Sequence, residues 1–298
     1  MKMTSREDID DSSNEDRRSQ PEIITIVNCA LNAPLMLISI TGNTLVLAAI
    51  LKTPSLRSPS TILLCSLAVS DVFVGLVAQP VSIAYQLTEK DSLHQAVRTV
   101  AFLAVGGSLL TMTAISVDRF AAPHYHMRYP SLMTTQRALY ISAVLWLVIF
   151  LSSWLPFWNI SAYYSVIAAS IAICLCLSSP CYIRIYRTVI HHQLQIHNQQ
   201  QAMEINADHN RNFLRSTRSA KNTFIYYVVM LLCYTPMFIG VSVSVSVNQF
   251  SKPWTFVETI AFMNSSINPF LYCWRLRQLR TAVIKIARQL LCKQMEEN

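Results

Sequence analysis

Seven stretches of this chain are nearly unbroken runs of apolar residues, and each is long enough to cross a bilayer as a helix of about 20 residues. They fall near 23–51, 59–87, 94–122, 137–157, 161–190, 222–247 and 254–274. The connections are short, except between the fifth and sixth runs. There, from about His191 to Arg218, the chain is rich in Gln, His and Asn, which predicts a mobile polar connection or one that is helical at its ends. After Trp274 the pattern changes. Leu276, Leu279, Val283, Ile286 and Leu290 alternate with basic residues at a spacing that sets apolar and basic groups on opposite helix faces, as in a helix lying on a membrane surface. The pattern predicts an all-α membrane protein: a polar tail over 1–22, a seven-helix transmembrane bundle over 23–274, and a short amphipathic cytoplasmic helix with its tail over 275–298.

Composition agrees. Of 298 residues, 52% are hydrophobic and 13% charged, about half the charge of a soluble domain. The net charge of +8 suggests nucleic-acid binding until its distribution is read. Lys52, Arg57, Arg119, Arg128 and Arg137 fall on one side of the bundle, as do Arg184, Arg187, Arg211, Arg215, Arg218 and Lys221, and so does the basic run after Trp274. The other side has an acidic N-terminus, Lys90, Lys252 and little else. This positive-inside asymmetry orients the N-terminus outside and the C-terminus in the cytosol. The basic groups then serve membrane lipids and cytosolic partners, not nucleic acid. Residues 1–22 contain no apolar core of a signal peptide, so the first span is expected to direct insertion itself. Seven of eight cysteines lie within apolar runs, which argues against extracellular disulfides. Cys292, beyond the amphipathic segment, is a candidate for palmitoylation or an inert tail cysteine. Asn159-Ile160-Ser161 is a glycosylation sequon set close to the membrane. No internal repeat supports an inverted-repeat transporter.

Polar residues inside the spans carry the chemistry, because each is costly in lipid and needs a partner. The seventh run holds Asn264, Ser265 and Asn268, and Pro269 frees a backbone carbonyl. The second holds Asp71, the first Asn43, and the third Ser108 near mid-depth before ending in Asp118-Arg119-Phe120. A lone carboxylate at the centre of a bundle is either neutral or compensated. If the helices meet, Asn43, Ser108, Asn264, Ser265 and Asn268 surround Asp71 with oxygens and amides. Such a set suits a hard cation, with sodium the abundant candidate, or a water-filled cluster around a protonated Asp71; both readings fit the sequence.

In order along the chain stand Gly42-Asn43, Leu67-Ala68-Val69-Ser70-Asp71, Asp118-Arg119-Phe120, a lone Trp146, Cys233-x-x-Pro236 and Asn268-Pro269-Phe270-Leu271-Tyr272. Taken together, these resemble a rhodopsin-like (class A) G-protein-coupled receptor over roughly residues 23–292. The resemblance implies a plasma-membrane receptor with no enzymatic activity, coupled to a heterotrimeric G protein and regulated by arrestin and receptor kinases. It implies that Asn43, Asp71, Ser108, Asn264, Ser265 and Asn268 form an allosteric sodium and water pocket. It also implies that Asp118 holds Arg119 at rest, and that Tyr182 and Tyr272 swing inward to meet Arg119 on activation. Tyr234, Pro236 and Pro269 would belong to the switch. For Asp118-Arg119 the bland alternative is an interfacial ion pair.

The departures cluster in the outer half. His94 stands where most relatives have a disulfide cysteine, Cys174 where the fifth span usually has proline, and Tyr234 where the activation-sensing residue is tryptophan; at the inner end of the third span Phe120 stands where tyrosine is usual. No acid stands near Ser216 to lock onto Arg119, so basal activity is expected. Ala101, next to Phe102, occupies the place of the amine-binding aspartate, and Phe262 that of the retinal lysine, so amine and retinal recognition by those groups is not expected. Arg98, about 31 Å above Arg119 at 1.5 Å per residue, and Glu258, on one face with Phe262, Ser265 and Pro269, are candidates to bind a charged ligand. They could equally pair with each other or reach the outer surface. Likeness to adenosine, melanocortin and lipid receptors points to a small molecule, lipid or short peptide of unknown identity. A seven-span cation transporter or channel, and a non-signalling receptor homologue that heteromerises, are the competing functions.

Overall fold

The computed structural model describes residues 7–88, 90–125, 128–202, 207–247 and 254–296. Among them every regular element is helical. The seven spans are α1 (Glu7–Lys52), α2 (Pro59–Phe73) continued by α3 (Gln79–Thr88), α4 (Asp91–Tyr125), then, after the short connecting helix α5 (Tyr129–Leu132), α6 (Thr135–Ser152), α7 (Ile160–Ala202), α8 (Ala207–Val247) and α9 (Trp254–Arg275). The amphipathic helix α10 (Arg277–Glu296) follows. Six of the spans are long and apolar enough to cross a membrane. The seventh, α9, carries Glu258, Asn264, Asn268 and Arg275, which dilute its apolar character, yet it packs beside α1 and α8 as a full member of the bundle.

Three local features set the geometry. Gly42 lies where α1 meets α9: a Cβ there would come within 2.8 Å of Pro269 Cγ. The missing side chain lets the helices close, and the next residue, Asn43, reaches across. The second span is not one continuous α-helix. Between α2 and α3, Val74–Ala78 form a π-turn, and Pro80 follows with no N–H to give. The inserted residue rotates α3 relative to α2. Ser39 of α1 donates to the carbonyl of Asp71 at 2.7 Å, satisfying the backbone next to that turn. The central α4 packs against α2, α6 and α7, and Trp146 of α6 donates its indole N–H to Ser66 of α2 at 3.1 Å.

The fifth-to-sixth connection is more helical than the sequence suggests. α7 extends to Ala202 and α8 begins at Ala207, so the helical rods continue well beyond the apolar runs. The amphipathic helix docks on the bundle: Leu279 and Ile286 are buried, and α10 packs against α1 and α9. Cys292 lies exposed within α10, not beyond it. All eight cysteines are free. The His94 ring stacks on Tyr85 of α3 at 5.0 Å. Asn159 caps α7, its Oδ1 accepting from the Ala162 N–H at 2.9 Å, so the sequon asparagine has a structural role.

Candidate functional site

Asp71 is fully buried at the centre of the bundle. Its Oδ1 accepts from Ser108 Oγ of α4 at 2.9 Å and its Oδ2 from Asn268 Nδ2 of α9 at 2.8 Å. The Ser265 hydroxyl adds a further hydrogen bond to the carboxylate. Four of the six residues expected at this site therefore converge directly. The other two stand one step away. Asn43 donates to the carbonyl of Ser265 at 3.0 Å and to that of Ser39 at 2.9 Å. The Ser265 carbonyl is the one Pro269, four residues on, cannot satisfy, so Asn43 repairs the break that Pro269 makes. Asn264 points instead toward α4 and α8, its Nδ2 3.3 Å from Met112 Sδ and 3.4 Å from the Tyr234 hydroxyl. Tyr234 is thus connected to the Asp71 region through Asn264, although it replaces the family's tryptophan. The Oδ1 atoms of Asn43, Asn264 and Asn268 are buried with no hydrogen-bond partner. The donor set is one carboxylate with neutral amide and hydroxyl oxygens, which matches a hard monovalent cation and no thiolate- or imidazole-seeking metal.

At the end of α4 that carries Asp118 and Arg119 the structure departs from the expected resting pair. Asp118 is not held by Arg119; among the described residues no ion pair joins them. Ser60 of α2 donates to Asp118 Oδ2 at 2.7 Å and the Tyr129 hydroxyl of α5 to Oδ1 at 2.5 Å. The carboxylate faces sideways to α2 and the loop because neighbouring residues on a helix project in different directions. Burial, and after it the hydrogen bond to Asp118, push the Tyr129 phenol above its ordinary range. Arg119 lines a narrow cleft with Tyr182, Tyr226, Tyr272, Arg275 and the apolar side chains of Leu64 and Met112. Its Nε has no partner. Tyr182 and Tyr272, expected to approach Arg119, share this cleft; the Tyr182 hydroxyl is 2.7 Å from Ser116 Oγ. Phe120 is elsewhere: it stacks on His124, and Arg184 of α7 lies 5.8 Å from its ring centre. Pro236 sits inside the continuous helix α8.

The outer half holds a second polar network that the motif reading missed. Asn28 Nδ2 donates to Gln86 Oε1 at 2.8 Å, Asn32 Nδ2 to Thr259 Oγ1 at 2.7 Å, and Thr259 Oγ1 to Asn28 Oδ1 at 2.8 Å. Gln79 reaches Asn32 at 3.2 Å, and Gln86 reaches Ser82 at 3.2 Å. Ser82 donates to Glu258, which also feels the charge of Arg98. Arg98 is hydrogen-bonded to Tyr164, and its backbone carbonyl accepts from the Tyr163 hydroxyl at 3.0 Å. Of the other outer candidates, Phe262 is fully buried, Phe102 packs on Tyr163 with ring centres 5.6 Å apart, and Ala101 lies against the core. Arg98 and Glu258 thus share one region with each other and with this network. The signal was present in the sequence as Asn28/Asn32 and Ser82/Gln86, polar pairs four residues apart within apolar runs.

Comparison with known proteins agrees with this geometry. The family described as 7 transmembrane receptor (rhodopsin family) matches residues 42–162 and 155–272. The chain is similar to the adenosine receptor A2b of Bos taurus, 30% identical over 311 residues that cover 90% of this chain and 91% of that receptor. The Gallus gallus adenosine receptor A2b is 27% identical over 304 residues, covering 87% of each. The conserved-type motifs, the helical bundle they hold together and these matches lead to one conclusion: the chain belongs to the rhodopsin family of seven-transmembrane receptors.

Proposed function

We propose that this receptor senses an extracellular small molecule, lipid or short peptide at the plasma membrane and activates a heterotrimeric G protein at the cleft around Arg119. The observation that carries the reading is the state of Arg119. Its neighbour Asp118 is satisfied by Ser60 and Tyr129, and no carboxylate is among the residues lining its cleft. A guanidinium placed at the inner mouth of the bundle, flanked by aromatic and apolar side chains, offers an inserted partner helix both a charged anchor and an apolar wall. Arrestin and receptor kinases would use the same cytoplasmic face.

Asp71, with oxygens of Asn43, Ser108, Asn264, Ser265 and Asn268, would hold a sodium ion, which supplies the positive charge that keeps a buried carboxylate ionised. On the outer side, Arg98 and Glu258 give a ligand one group of each charge to meet, and Tyr234 carries occupancy inward through Asn264. The curated relatives are named as adenosine receptors, so adenosine and its analogues head the ligand panel. The test is a resonance-energy-transfer assay of G-protein dissociation across Gα subtypes, with Arg119→Ala as the control at matched surface level. An agonist response abolished by Arg119→Ala is expected. A response that persists in Arg119→Ala, or no response from any Gα to a broad ligand library, would refute the proposal.

A further inference from the structure

The hydrogen bonds of the outer network run one way. Gln79 Nε2 of α3 donates to Asn32 Oδ1 of α1 at 3.2 Å, Asn32 Nδ2 to Thr259 Oγ1 of α9 at 2.7 Å, and Thr259 Oγ1 to Asn28 Oδ1 at 2.8 Å. Asn28 Nδ2 then donates to Gln86 Oε1 at 2.8 Å, and Gln86 Nε2 to Ser82 Oγ at 3.2 Å. Ser82 has one hydroxyl proton, and its hydrogen bond to Glu258 of α9 uses it. Every donor in the series therefore points toward the Glu258 carboxylate, which closes it as the final acceptor. Hydrogen bonds aligned in this way polarise one another, so the series is built to hold an anion at its end. Arg98 of α4 is held from another side. It is hydrogen-bonded to Tyr164 of α7, and its Nε is buried without a partner. Glu258 feels its charge, yet among the described residues no ion pair joins the two. Both charges act on Tyr163 and Tyr164, whose ring centres are 5.1 Å apart, with Phe102 5.6 Å from Tyr163. Ser82 thus draws the anion toward α3 and Tyr164 draws the cation toward α7, beside an aromatic wall.

We propose that Glu258 and Arg98 are the two poles of a site for a small zwitterion, such as a free α-amino acid, with Glu258 taking the ammonium and Arg98 the carboxylate. The inference rests on the reading of the chain as a receptor for an extracellular ligand, and it names the class of that ligand. A ligand with one charge satisfies one pole and meets its own sign at the other. A neutral ligand takes water from both charges and compensates neither. A zwitterion meets each pole with its opposite, and the guanidinium offers the planar fork that suits a carboxylate. The rings of Phe102, Tyr163 and Tyr164 give the ligand's body an apolar surface and its ammonium a π-face. Ser82, Gln86 and Asn28 are positioning residues, since they act on the ligand only through Glu258.

Thermal melting of the full-length receptor in lipid nanodiscs tests the class without needing a signal. L-Phenylalanine leads the probes, followed by the other proteinogenic amino acids. Phenethylamine carries the ammonium alone, 3-phenylpropanoate the carboxylate alone, and adenosine neither. At least one amino acid is expected to raise the melting temperature, with its amine-only and acid-only counterparts inactive at about ten times the concentration. Glu258→Gln and Arg98→Gln should each weaken that amino acid about tenfold to hundredfold, the size of losing one charge-assisted hydrogen bond. Arg98→Lys, which keeps the charge, should recover part of the loss. Ser82→Ala should weaken binding less and add nothing further in Glu258→Gln, as a residue acting through Glu258 must. A counterpart that stabilises as well as its amino acid overturns the proposal. So does a complete set of proteinogenic amino acids without effect, or unchanged affinity in both glutamine variants. If adenosine evokes an Arg119-dependent G-protein response and no amino acid binds, the zwitterion class falls and the receptor reading stands. If an amino acid binds as expected and no Gα responds, the site stands and the coupling reading falls.

Discussion

The two polar networks of this bundle use the same kinds of side chain in opposite ways. In the centre, hydroxyls and amides from α4 and α9 converge on one carboxylate, Asp71, and the Oδ1 atoms of Asn43, Asn264 and Asn268 are left without partners. In the outer half, the amides of Asn28, Asn32, Gln79 and Gln86 are joined to one another and to Thr259 and Ser82, with one amide oxygen, the Gln79 Oε1, left over. A converging site has spare oxygens and more than one way to arrange its protons, waters or a cation, so it can switch. A network of paired amides ties α1, α3 and α9 together, with each interhelical hydrogen bond worth about 0.6 kcal/mol in a membrane and at most about 1.7. It is suited to holding the outer ends of three helices fixed while the inner ends move.

The comparison is most severely tested at Asp71. Asp71→Leu leaves the Asn268 amide and the Ser108 and Ser265 hydroxyls buried without their acceptor. Each such loss costs about 1–3 kcal/mol, so a marked fall in thermal stability of the purified receptor is expected, together with loss of agonist response. Wild type is expected to melt at higher temperature when sodium replaces a large organic cation, and Asp71→Asn should fold but lose that dependence. A sodium effect retained in Asp71→Asn would move the cation elsewhere. Gly42→Ala is the next largest: a methyl group meeting Pro269 at 2.8 Å forces α1 from α9 and costs about 1–3 kcal/mol, read as a lower melting temperature and lower surface expression.

In the outer network Asn32→Leu should cost less, about 1–2 kcal/mol from the lost bonds to Thr259 and Gln79, and should leave ligand-free coupling unchanged. A change in coupling as large as that from Asp71→Asn would erase the distinction between the networks. Glu258→Gln and Arg98→Gln should alter agonist potency with the maximal response preserved; unchanged potency in both removes them from the ligand site. The smallest effect is expected of Tyr129→Phe. It deletes one hydrogen bond to Asp118 while Ser60 keeps the other, so about 0.5–1.5 kcal/mol is at stake, seen as a modest change in basal signal.

How far each feature could be read in advance depended on whether it was local. Asn43, Asp71, Asn268 and Pro269 were legible because a polar group or proline within an apolar run is conspicuous by itself. Their roles divided only in three dimensions, where Asn43 serves the Ser265 carbonyl and Asn264 turns to Tyr234. That Asp118 holds Arg119 is an expectation from the resemblance, which the local geometry does not meet. Adjacent helical side chains diverge, and the groups that claim Asp118 come from α2 and α5, 58 and 11 residues away. The outer network was hidden differently. Asn28 and Gln86 are individually unremarkable, and the π-turn at Val74–Ala78 that re-aims α3 has no periodicity to announce it.

The sequence by itself determined the number of spans, the amphipathic segment after them and the identity of the central carboxylate. These follow from the cost of placing charge and unpaired backbone in lipid, which each segment meets on its own. Only the tertiary structure decided which oxygens face Asp71, what occupies Asp118 and how the outer amides pair. Those contacts join residues far apart in the chain, and their geometry is fixed by helix rotation, by the close approach at Gly42 and by the π-turn, none of which is a property of a single segment.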